Sequence, residues 1–108
     1  MSTETLESRG DRVVRKMILA PGEASSWHVD PCRRYTTVLG GSRLVIEFKT
    51  SGDREEFPVY PGMSGWDEPE LRVHRAVNTG DERHIEVGIF LRPDPAMDIQ
   101  PEVIERSA

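Results

Sequence analysis

The stretch Tyr35-Thr36-Thr37-Val38-Leu39-Gly40-Gly41-Ser42-Arg43-Leu44-Val45-Ile46-Glu47-Phe48 decides the fold class. Its first run, Tyr35 to Leu39, is β-branched and aromatic, the composition that suits a pleated, half-buried strand. Leu44 to Phe48 reads as the partner strand. Gly40-Gly41-Ser42 between them is turn chemistry and predicts a tight hairpin.

The same alternation of short strand and turn extends in both directions. Upstream, Val13-Val14-Arg15-Lys16-Met17-Ile18-Leu19 partly alternates apolar and charged residues, as a strand with one half-exposed face does. Ala20-Pro21-Gly22-Glu23 is a turn. Ser25 to Val29 is a short extended segment, stopped by Pro31. Downstream, Thr50-Ser51-Gly52-Asp53 turns again. Glu56 to Tyr60 is a short strand or an edge, because Pro58 has no N–H for a ladder. After the Pro61-Gly62 turn, Ser64-Gly65-Trp66 leads into a loop, Asp67-Glu68-Pro69-Glu70. Arg72 to Asn78 is a strand and Thr79-Gly80-Asp81-Glu82 a turn. His84 to Leu91 is the last strand. Seven or eight short strands, turns about every ten residues and no long amphipathic helix predict an all-β sandwich or barrel.

Composition narrows the function. The chain has 108 residues, 36% hydrophobic and 31% charged, with a net charge of −5. That suits one modest domain with a charged surface. The longest basic run is Arg33-Arg34, too little to track phosphates, so nucleic acid is excluded as a partner. No apolar stretch is long enough for a membrane span. The polar N-terminus lacks the apolar region of a secretory signal and predicts a cytoplasmic location. Cys32 is the only cysteine, so no internal disulfide forms. Residues 1–11 read as a flexible leader, 12–92 as the β-barrel, and 93–108, with Pro93, Pro95 and Pro101, as a surface tail.

The chemistry concentrates in His28, Asp30 and His74. His28 and Asp30 stand two apart, so a strand sends both to one side. With His74 on a neighbouring strand, two imidazoles and one carboxylate converge, the facial triad of non-haem iron enzymes. Arg34 complicates this reading: an inward guanidinium repels a metal ion unless an anionic ligand lies between them, or else it pairs with Asp30. No Gly-x-Ser-x-Gly elbow, phosphate-binding glycine loop or Cys-x-x-Cys pair competes, and no residue takes a catalytic assignment.

The order of motifs resembles the cupin superfamily. Pro21-Gly22, then His28-Val29-Asp30, Arg34 and Val38-Leu39-Gly40-Gly41 match its first motif. Pro69-Glu70-Leu71, His74 and Asn78 match its second. Together they span about Val13 to Phe90. Asp30 replaces the second His, the Glu position falls on Arg34, or on Tyr35 if the loop is one residue longer, and Leu71 replaces a Gly. The resemblance implies a double-stranded β-helix, or jelly roll, and a variant metal site of His28, Asp30 and His74 for iron, zinc, nickel or manganese. It also implies a homodimer, with the strand Val13 to Leu19 exchanged between subunits. Arg34 and Tyr35 are the candidate ligand-binding residues. Three functions stay open: a metal-dependent oxygenase or isomerase of a small polar metabolite, a metal-free carboxylate-binding protein, and an accessory protein with a vestigial cavity.

Overall fold

In the computed structural model, which describes residues 1–92, nine strands form two antiparallel sheets. The strands are β1 (Ser2–Arg9), β2 (Arg12–Leu19), β3 (His28–Asp30), β4 (Arg34–Gly40), β5 (Arg43–Phe48), β6 (Arg54–Pro58), β7 (Ser64–Asp67), β8 (Glu70–Asn78) and β9 (His84–Leu91). The five-stranded sheet runs β1-β2-β9-β4-β7 and the four-stranded sheet β3-β8-β5-β6. The expected all-β jelly roll is the observed architecture.

Three expectations are corrected. Residues 1–11 are not a flexible leader: β1 pairs with β2 from Ser2↔Ile18 to Arg9↔Arg12. An edge strand is held by backbone bonds on one side only, so Ser-Thr-Glu-Thr-Leu-Glu-Ser-Arg needs no apolar run, and its polarity hid it. The Gly40-Gly41-Ser42 turn does not close a hairpin. β4 pairs with β9 and β7, whereas β5 pairs with β8 and β6. The turn carries the chain from one sheet to the other. Gly41 has φ +135°, and a Cβ there would lie 2.9 Å from His84 Nδ1. The corner is therefore closed only by a residue without a side chain. Ser64–Asp67, read as the entry to a loop, is an additional short strand. The proposed tail, 93–108, lies outside the described residues.

The packed core is small. Leu19, Val38, Leu44, Val59 and Ala76 form one cluster, and Val13 with Cys32 forms another against Phe90. Asn78, wholly buried, ties the layers together: its Nδ2 donates to Leu19 O at 3.0 Å and Glu82 O at 2.7 Å, and its Oδ1 accepts from Gly80 N at 3.0 Å. Its role is structural. The remaining space between the sheets is a cavity lined by charged and apolar side chains together.

Candidate functional site

The site is built on one rung of the β3–β8 ladder. β3 is three residues long, and its alternation sends His28 and Asp30 inward. His28 lies opposite His74 of β8, and the two ring centroids are 4.6 Å apart. Trp27 precedes His28, and its ring lies against Arg75 and Lys49, with Arg75 Cζ 4.3 Å from the centroid.

A backbone carbonyl orients each ring. His28 Nδ1 is 2.7 Å from Ser26 O, and His74 Nδ1 is 2.7 Å from Arg72 O. A carbonyl can only accept, so each Nδ1 carries a proton and each neutral ring offers a lone pair at Nε2. Both Nε2 atoms face Asp30 Oδ2, at 3.6 Å from His28 and 2.8 Å from His74. Lone-pair nitrogens turned toward a carboxylate oxygen require a cation between them, either a proton or a metal ion.

The charges around the carboxylate shift Asp30 and His74 in opposite directions. Burial works to raise the Asp30 pKa, but hydrogen bonds from His28 and His74 and the Arg34 charge outweigh it and hold the carboxyl well below the usual range. Burial works to lower the His74 pKa. Its bonds to Asp30 and to the Arg72 carbonyl win and hold the imidazole pKa above its ordinary value.

The same donor set fits a divalent ion. One ligand atom each from His28, Asp30 and His74 lie within 4.8 Å of one another. Support of a ligand imidazole through its other N–H is the usual outer-shell arrangement of a metal-bound histidine. The structure thus brings together all three predicted metal ligands.

Arg34 enters from β4. Its Nη1 lies 2.6 Å from Asp30 Oδ2 and its Nε 3.4 Å from Asp67 Oδ2. The Asp–Arg pairing weighed from the sequence is present. Burial would lower the Arg34 pKa, but Asp30, Glu86 and Asp67 raise it further, so the guanidinium stays charged. Tyr35 does not join the site. It is the next residue on β4 and points to the other face of the sheet. There it meets Trp66 edge-on at 5.1 Å, with its hydroxyl 3.0 Å from Ser64 Oγ. Alternation alone separates it from Arg34.

Two adjoining cavities, about 360 and 390 Å³, share Asp30, Arg34, His74, Glu86, Leu44 and Ile46. The first is bounded by Met1 and by Thr3 and Thr5 of β1, the second by residues of β6 and β7. Glu86 is a site residue the sequence reading missed. His84 is 1% accessible, and its Nε2 lies 2.7 Å from Glu86 Oε1. The period of two in His84-Ile85-Glu86-Val87-Gly88-Ile89-Phe90 carries the signal, since Glu86, Gly88 and Phe90 all line the first cavity. Cys32 is buried, and burial pushes its thiol pKa up, as for an inert core cysteine.

Among solved structures, a cupin domain from Bordetella pertussis Tohama I superposes with a TM-score of 0.74 at 19% identity, covering 84% of this chain and 92% of that one. A double-stranded β-helix domain protein from Klebsiella pneumoniae matches with a TM-score of 0.66 at 22% identity, covering 94% and 84%. The protein has the cupin fold. An oxalate oxidase in complex with the substrate analogue glycolate shares this cupin fold at a TM-score of 0.59 and 19% identity, covering 82% of this chain and 46% of that one. No family model matches the sequence, and no curated protein matches it. On the cupin frame, Asp30 and Arg34 occupy the two departures from the usual ligand pattern, and the structure shows them bonded to each other. No helix among the described residues is long and apolar enough to cross a membrane.

Proposed function

We propose that this cupin binds a divalent metal ion through His28 Nε2, His74 Nε2 and Asp30, and acts on a small polar anion held by Arg34. One observation carries the reading: two imidazoles, each locked by a carbonyl at Nδ1, converge through Nε2 on one buried carboxylate. A bound ion of iron, zinc, nickel or manganese would supply Lewis-acid polarisation of a coordinated oxygen, and iron or manganese also redox chemistry. The chain's own groups do the rest. Arg34 presents a fork that matches a carboxylate. Leu44, Ile46 and Phe90 give the cavity apolar walls. Glu86, anchored by His84, offers a carboxylate for moving a proton. An oxygenase or an isomerase is the reaction class we favour. The oxalate oxidase, and a sugar phosphate isomerase from Silicibacter pomeroyi at a TM-score of 0.52, are named for small anionic compounds, which supports this substrate class. We place the protein in the cytoplasm, where a lone buried thiol is at home.

A second reading has its own support. Arg34 Nη1 at 2.6 Å from Asp30 Oδ2 holds the carboxylate a metal needs. In this reading the cupin carries no metal, and Arg34 and protonated His74 together bind a carboxylate ligand.

Elemental analysis of untagged, chelator-free protein separates the two. About one equivalent of metal, lost in both His28→Ala and His74→Ala, supports the first reading. Less than about a tenth of an equivalent, even after anaerobic Fe(II), overturns it. Thermal stabilisation by a carboxylate without metal, roughly 2.7 kcal/mol at about 100 times its Kd, then favours the second. Neither metal nor ligand leaves an accessory protein with a vestigial cavity.

A further inference from the structure

Gly88 leaves a bare place on the inner face of the five-stranded sheet, and the side chain of Phe90 fills it. A Cβ at Gly88 would stand 3.1 Å from Phe90 Cε2. The ring therefore lies back over its own strand, as a plate on the wall of the first cavity. An arginine flanks it on each side. Arg15 of β2 pairs with Gly88, and Arg34 of β4 pairs with Phe90. Each guanidinium carbon is 5.9 Å from the ring centroid. A ring face within about 6 Å attracts a cation, so Phe90 steadies both side chains.

The two ends differ in what accompanies the arginine. At one, Arg34 stands beside Asp30, which His74 also reaches. At the other, Thr5 of β1 lies directly across the ladder from Arg15, and both line the cavity. Directly opposed residues have Cβ atoms about 5 Å apart, so the Thr5 hydroxyl and the Arg15 guanidinium can donate to one anionic group. Between the ends, Met17, Leu44, Ile46 and Phe90 make the walls apolar.

The charges put an anion on this side. Among the described residues, the acids of the first cavity are Asp30 and Glu86. Both are already bonded, one to Arg34 and His74 and the other to His84. The second cavity adds Glu55, Asp67, Glu68 and Glu70 and no further arginine, a field that repels an anion.

We infer that the first cavity takes a short dicarboxylate, one carboxylate on Arg34 and the other on Arg15 and Thr5, with the chain between them against Phe90. The inference rests on the reading that Arg34 holds an anion, and adds what the far end of that anion is. With hydrogen bonds of about 2.8 Å at each end, two guanidiniums sharing one ring leave room for roughly three to five carbons.

Isothermal titration of the full chain, purified without chelator, compares succinate with butyrate, which has a methyl group in place of one carboxylate. Succinate is expected to bind at least about tenfold more tightly. Arg15→Gln abolishes that preference and leaves the butyrate affinity at its wild-type value. Thr5→Val, a change of similar shape that suits an edge strand, narrows the preference part-way and keeps the test readable if Arg15→Gln fails to fold. Equal binding of the two ligands by the wild type, or a preference that survives both substitutions, overturns the inference while the role of Arg34 stands. If neither ligand binds, the reading of Arg34 falls and takes this inference with it.

Discussion

Arg34 Nη1 lies 2.6 Å from Asp30 Oδ2, the same oxygen that His74 Nε2 reaches at 2.8 Å. One carboxylate oxygen thus answers both side chains, and a metal ion bound between His74 and Asp30 must share that carboxylate with a guanidinium.

Removing that competitor strengthens metal binding. Arg34→Gln keeps a polar side chain but takes away a positive charge that repels the ion. The expected gain in affinity for Zn(II) or Fe(II) by competition titration is on the order of tenfold, about 1.4 kcal/mol. The same substitution weakens binding of small carboxylates such as glycolate or oxalate. Unchanged metal affinity would place Arg34 clear of the metal in the loaded state.

Stability follows pH with two limbs. The folded pKa of Asp30 is lowered, so its contribution is present above the unfolded value of about 3.9 and is lost as pH falls below it. The folded pKa of His74 is raised, so its contribution is full below about 6.5 and is lost as pH rises through the folded value. Metal-free protein is therefore most stable between about pH 4 and 6.5. Melting temperature against pH reads this directly, and His74→Gln removes the fall on the alkaline side. Metal binding shows the reverse slope, tightening as pH rises, because the ion replaces a proton.

Asn78 is a stability residue rather than a ligand. Asn78→Ala leaves the Leu19 and Glu82 carbonyls and the Gly80 N–H without their partner. The expected loss is about 3 kcal/mol in urea unfolding. Metal stoichiometry of the folded fraction stays at the wild-type value, and a fall in stoichiometry would draw Asn78 into the site.

Gly41 marks the corner between the sheets. In Gly41→Ala a methyl group meets His84 Nδ1 in a backbone region that side chains avoid. Destabilisation of about 2 kcal/mol is expected by the same measurement. A neutral result would show that the corner relaxes.

Much of this was legible in the sequence, for reasons that differ by residue. Strand positions from β2 to β9, with the exception of β7, follow from period-two patterns and turn residues, which are local facts. The facing of His28 and Asp30 is also local, since spacing fixes it. Their meeting with His74 needed the order of motifs as well. Which sheet each strand joins is not local. Gly40-Gly41-Ser42 announces a reversal, yet the partner of β5 is chosen by packing across the whole sandwich. β1 escaped because edge strands are selected by backbone bonding and not by side-chain polarity. Glu86 escaped because an acid among aliphatic residues on β9 looks like a surface position until the inward face of His84 and Phe90 is known. Tyr35 was assigned to the ligand beside Arg34, although adjacent residues on a strand point apart.

The two adjoining cavities meet at Asp30, Arg34, His74 and Glu86, one bounded by the N-terminal strand and the other by β6 and β7. The proposed metal ligands and Arg34 thus stand where the two cavities adjoin, so a molecule seated on either side reaches the same carboxylate. Under the proposed function, Asp30 works as a party wall: two small molecules have room to lie on opposite sides of it at once.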